Sequence, residues 1–129
     1  MRINLYSQLG RVLTLGATKG GTGHWWAQRV TAVILIFVGL WFLISILSLD
    51  NMQFDTVYAW VGKPLNSILL ILTFASLSYH SKLGVQVIIE DYVHGPTIKT
   101  LSLGMNNFAH VLLAAVSVFA VLKISFGGL

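Results

Sequence analysis

The sequence predicts an all-α integral membrane protein with three transmembrane helices. Of its 129 residues, 56% are hydrophobic and 9% are charged, against ~25% charged in an ordinary soluble domain. Three almost uncharged stretches are long enough to cross a bilayer, which takes ~20 residues. No ~10-residue alternating segments of the kind a membrane β-barrel needs are present. Backbone polar groups in hydrocarbon must be bonded internally, so spans of this length are helices.

Residues 1–26 read as an N-terminal arm and 27–129 as a single anchor domain. The arm carries Arg2, Arg11 and Lys19, with Arg29 just after it, half of the eight basic residues. This is a topology signal rather than a nucleic-acid surface, and it places the N-terminus on the cytoplasmic or matrix side. The arm lacks the apolar core and small-residue cleavage site of a signal peptide. Its freedom from acids leaves a transit peptide open, and Lys19-Gly20-Gly21-Thr22-Gly23 reads as a flexible run.

The first span, uncharged from Val30 to Leu49 within a helix of about 27–49, is bounded by Arg29 and Asp50. The second, about 64–91, opens on Pro64, a favourable first-turn residue, and is interrupted only by Lys82. His94-Gly95-Pro96 breaks the chain before the third span, about 103–126. The connection from Asp50 to Lys63 reads as a short outer loop. With no cysteine, disulfides, thiolate zinc sites and cysteine-held iron–sulfur clusters are excluded from this chain.

The polar residues inside the spans point to chemistry. His80 lies ten residues before Glu90, ~15 Å from the inner end of its helix and close to the midplane of a ~30 Å core. An imidazole at that depth either bonds a neighbouring helix or ligates a metal such as the iron of a b-type haem. Gly84, one turn along, leaves room for a flat macrocycle. Asp91 lies eleven residues beyond His80, on nearly the same face. Asp91 and Tyr92 are either a solvated helix end in the aromatic belt, or a phenol and carboxylate that bond a quinone and relay a proton. Trp25 and Trp26 read as an interface anchor. Arg29 and His24 fit either a topology role or an anionic cofactor group. Lys82, Gln86 and Glu90 form a second stripe that faces protein, and His110 reads as bonded to a neighbouring helix.

Two blocks together resemble the small membrane-anchor subunit of succinate dehydrogenase, a cytochrome b subunit of respiratory complex II. They are Gly-Thr-Gly-His24-Trp-Trp-Ala-Gln-Arg29-Val-Thr-Ala-Val and His80-Ser-Lys-Leu-Gly84-Val-Gln-Val-Ile-Ile-Glu90-Asp91-Tyr92. The resemblance covers roughly residues 15–125. It implies a heteromeric helix bundle with a larger cytochrome b anchor subunit, docked to an iron–sulfur subunit and a flavoprotein subunit. It implies that His80 is one axial ligand of a haem b shared with that partner, and that Tyr92, with Asp91 beside it, binds ubiquinone. Arg29, and more loosely His24, would lie near the haem propionates. Lys82 departs from the family pattern and marks a subunit contact. The alternatives are a fumarate reductase-type anchor using menaquinone, a haem-free structural anchor, and a proton-coupled transporter. The last is disfavoured because no inverted repeat or broken-helix pair is present.

Overall fold

The computed structural model describes residues 21–127, so Arg2, Arg11 and Lys19 of the N-terminal arm lie outside the described residues. Four helices follow one another: α1 (Gly21–Leu47), α2 (Phe54–Val61), α3 (Pro64–Tyr92) and α4 (Pro96–Ser125). No strand occurs among the described residues. α1, α3 and α4 are each long and apolar enough to cross a membrane. Their 27, 29 and 30 residues make ~40–45 Å at 1.5 Å per residue, so each overhangs a ~30 Å core or tilts within it.

α3 is the middle helix, packed on one side against α1 and on the other against α4. Contacts between Thr31 and His80 at one end, and between Trp41 and the Leu70 region at the other, make α1 and α3 antiparallel. The buried core sits at the α2 end, where Trp60, Leu70 and Val121 meet and Trp41, Phe42, Ile46 and Phe74 close around them. The Trp60 ring stacks on Trp41 with centroids 5.9 Å apart and meets Phe42 edge-on at 6.2 Å. Its indole N–H donates to Ser45 Oγ at 2.8 Å, which satisfies the polar edge that burial would otherwise strand.

The α2–α3 corner is tied by side chains. Ser67 Oγ donates to the Val61 carbonyl at 2.6 Å, and Asn66 Nδ2 to the Trp60 carbonyl at 2.8 Å. These bonds consume carbonyls that the end of α2 leaves without helical partners. Pro64 opens α3 and Pro96 opens α4, each with its fixed φ already suited to a first turn.

Three boundaries differ from the sequence expectation. α1 begins at Gly21 rather than about 27, so the Gly-Thr-Gly run is helical. Near a membrane interface, internally bonded amides outweigh the ~1 kcal/mol that each glycine costs a helix. α4 begins at Pro96 rather than about 103, because the proline starts the helix and Lys99 lies in its exposed first turn. The expected outer loop contains α2, whose Phe54, Val57, Tyr58 and Val61 recur at helical spacing.

Candidate functional site

His80 stands on the α3 face that α1 covers. Thr31 of α1 is buried there, at 9% exposure. Its Oγ1 lies 2.7 Å from the Ala27 carbonyl, 3.2 Å from that of Gln28 and 2.9 Å from His80 Nδ1. A threonine has one hydroxyl proton, and the carbonyls can only accept. The proton therefore goes to the helix backbone, and His80 Nδ1–H donates to the hydroxyl. The imidazole is thereby assigned its proton on Nδ1. Its Nε2 carries a lone pair, and no hydrogen bond among the described residues uses it. An imidazole fixed through one nitrogen with the other free is the arrangement a metal ligand needs.

Gly84, one turn further, has open space beside it. A Cβ built there would meet no heavy atom within 4 Å outside its own helix turn. Asp91 and Tyr92 close the helix. Both are exposed, Tyr92 at 78%, and the Tyr92 phenol makes no hydrogen bond among the described residues. Their helix end is tied to α4 by Lys99, whose ammonium donates to the Glu90 carbonyl at 2.9 Å. A cation at a helix C-terminus offsets the dipole that the acids there oppose.

On α1, His24 lies seven residues before Thr31, two turns along the same face. Counted along both helices from the Thr31–His80 contact, position 24 falls level with position 87. The His24 Nε2 is buried without a partner. Arg29 is not brought into this group. It lies nearly half a turn round the helix from Thr31, exposed, with its guanidinium over the Trp25 ring at 5.2 Å.

His110 is committed elsewhere. Its Nδ1–H donates to the Asn106 carbonyl at 2.8 Å, leaving Nε2 to accept from Ser81 Oγ at 3.1 Å. Lys82 places its ammonium over the Tyr79 ring at 5.7 Å, while Gln86 Nε2 donates to Glu90 Oε1 at 2.8 Å. Among the described residues no three His, Cys, Asp or Glu side chains gather into a self-sufficient metal site.

Thr31 is the residue that sequence reasoning passed over. It stands in the Arg29-Val-Thr-Ala block, but its role depends on a contact 49 residues away in sequence.

The fold and site define a class: a three-span helical membrane subunit with a prepared but unspent imidazole nitrogen, open on faces that other helices can cover. The comparisons bear on the membrane-subunit class alone. Residues 4–122 match the family model described as succinate dehydrogenase/fumarate reductase transmembrane subunit. A succinate dehydrogenase hydrophobic membrane anchor subunit from Rickettsia bellii is 31% identical over 124 residues, covering 96% of this chain and 91% of that one. A succinate dehydrogenase membrane anchor subunit from Reclinomonas americana is 37% identical over 89 residues, covering 67% and 74%. The Paracoccus denitrificans anchor subunit is 27% identical over 115 residues, covering 89% and 88%. The chain belongs to this family, as a multi-pass membrane anchor of the succinate dehydrogenase type.

Proposed function

We propose that this chain co-binds haem b and helps form the ubiquinone-reduction site of a succinate:ubiquinone oxidoreductase, linking the citric acid cycle to the respiratory chain. The carrying observation is the His80 imidazole, bonded through Nδ1 to Thr31 with Nε2 free beside the open space at Gly84. The residues present therefore fit a haem. Bound there, haem b supplies a one-electron carrier in a medium of low dielectric constant.

The chain's own residues then have distinct tasks. His80 would hold the iron through Nε2, with a second ligand supplied by the larger cytochrome b anchor subunit. Gly84 keeps the space beside the ring clear. His24, on the Thr31 face of α1, would be the nearer partner for a propionate, whereas Arg29 would have to leave the Trp25 ring to reach one. Tyr92 donates its phenolic proton in a hydrogen bond to a quinone carbonyl, and Asp91 beside it passes a proton towards that oxygen. The exposure of both supports a site completed by other subunits. Substrate oxidation belongs to the flavoprotein and iron–sulfur subunits, so this subunit is not catalytic alone. The basic N-terminal arm supports the cytoplasmic or matrix side for that terminus, in a bacterial or mitochondrial inner membrane.

The test is a reduced-minus-oxidised optical spectrum of the purified complex, wild type against His80→Leu. Loss of a b-type α-band in the variant is the expected result. A surviving band moves the ligand out of this chain, and no band in either favours a haem-free anchor. The family model also covers fumarate reductase, and the potential of the quinone used separates that direction, with menaquinone, from ubiquinone reduction.

A further inference from the structure

We propose that Thr31 is the positioning residue for the His80 ligand. Its hydroxyl fixes which imidazole nitrogen is free and how the ring is turned, and so tunes the potential of the bound haem. The inference rests on the reading of His80 as a haem ligand.

The geometry assigns this role to Thr31 through its proton count. A hydroxyl is ambivalent by nature, able to donate to Nδ1 or accept from it. Here the ambiguity is removed by the helix itself. The Ala27 carbonyl at 2.7 Å takes the only hydroxyl proton, so the oxygen turns a lone pair to His80 at 2.9 Å. The same back-bond holds the hydroxyl in one rotamer, and α1 holds it against α3 in a site where Thr31 is buried. The acceptor is thus fixed in both position and polarity before any cofactor arrives. A histidine on a lone helix could present either nitrogen, since only a partner on one chooses the other.

Electronics follow from the same bond. An imidazole that donates through Nδ1 is a more basic ligand through Nε2, which favours the ferric over the ferrous state. Removing the acceptor should raise the midpoint potential. Removing an outer-shell partner typically costs ~10–100-fold in metal affinity, and a loss tenfold greater for the ferric than for the ferrous state is ~59 mV in a one-electron couple. Valine is the informative replacement, because it keeps the branched shape that packs between the helices and deletes only the oxygen.

The experiment is a redox titration of the haem α-band, with a low-temperature electron paramagnetic resonance spectrum, on the detergent-purified complex carrying Thr31→Val, Thr31→Ala or Thr31→Ser. Valine and alanine are expected to raise the potential by about 59 mV and to shift or broaden the low-spin signal. Serine, which retains the oxygen, is expected at the wild-type values. A valine or alanine variant with wild-type potential and signal overturns the proposal, and so does a serine variant displaced as far as valine. Should the two apolar variants fail to assemble, a serine variant displaced from the wild-type potential by about 59 mV still overturns the proposal. His80→Leu, run alongside, separates this inference from the reading beneath it. A band surviving in His80→Leu removes the ligand itself, whereas a band lost there but unmoved in Thr31→Val removes only the role of Thr31.

Discussion

The Ser78 hydroxyl of α3 donates to the His110 carbonyl of α4 across 2.6 Å. Around it, His110 Nε2 accepts from Ser81 and Asn106 Nδ2 donates to the Lys82 carbonyl at 3.0 Å. Polar side chains thus clamp α3 to α4 along the turn from Ser78 to Lys82. In hydrocarbon such bonds replace a hydrophobic driving force that lipid tails do not provide between helices. The clamp holds α3 from the side opposite α1, so the face bearing His80 is fixed from behind.

Breaking one bond of this clamp should cost little. Interhelical bonds in membrane proteins average ~0.6 kcal/mol and reach ~1.7. Ser78→Ala is expected to lie in that range by reversible detergent denaturation of the complex. A loss well beyond it would show that the clamp acts as one cooperative unit.

His110 offers a control for His80. Both are histidines inside apolar helices, but His110 has both nitrogens engaged whereas His80 has one free. His110→Leu is therefore expected to weaken assembly modestly and leave the haem spectrum where it is. A lost or shifted α-band in that variant would assign the ligand to α4 instead.

Tyr92 should matter to only one half of the overall reaction. Tyr92→Phe keeps the ring at the helix end and removes the phenolic proton. Quinone reduction is expected to fall by at least the ~10²-fold typical of a lost proton-transfer group, while succinate oxidation with an artificial acceptor persists. Equal loss of both rates would make Tyr92 a structural residue of the subunit interface.

The far end of the bundle predicts a stability effect. Trp60 is 6% exposed, stacked on Trp41 and bonded to Ser45. Trp60→Ala is expected to destabilise by about 3–5 kcal/mol. Trp60→Phe keeps most of the packing and loses one hydrogen bond, ~0.5–1.5 kcal/mol. Thermal unfolding of the complex read by circular dichroism distinguishes them, and near-equal values for the two variants would remove the stacking argument.

Some of this was readable from sequence and some was not. The three spans followed from charge depletion, and the break at His94-Gly95-Pro96 from local turn chemistry. The starts of α1 and α4 were set too late. Glycines were weighed as breakers although a membrane interface rewards internally bonded amides, and Pro96 was read as an end when it is also a beginning. The eight residues of α2 carry the right periodicity but are too few to stand out. That His80, Gly84 and Asp91 share one face was legible because a single helix sets their spacing. Thr31 was not, because its partner lies on another helix and only the antiparallel packing of α1 on α3 brings them together. Arg29 was grouped with His24 in sequence, but its exposure and its place over the Trp25 ring emerge only in the folded chain.

Gly84 separates the fold of this chain from the binding of a large flat group. Within the chain a Cβ at position 84 meets nothing within 4 Å, so the three helices themselves do not require glycine there. Gly84 also lies in mid-helix, where alanine is the better helix former by ~1 kcal/mol. For the isolated packing of α1, α3 and α4, Gly84→Ala should be neutral or stabilising, and a larger Gly84→Leu should be tolerated. If the space beside His80 is where a macrocycle lies, the same leucine occupies that volume. Gly84→Leu is then expected to leave the subunit membrane-inserted while the haem content per complex, measured by pyridine haemochrome, falls several-fold. Gly84→Ala should give an intermediate value. Full haem content in Gly84→Leu would place the macrocycle on another side of His80, and loss of the inserted subunit itself would show that the glycine serves helix contact with a partner chain.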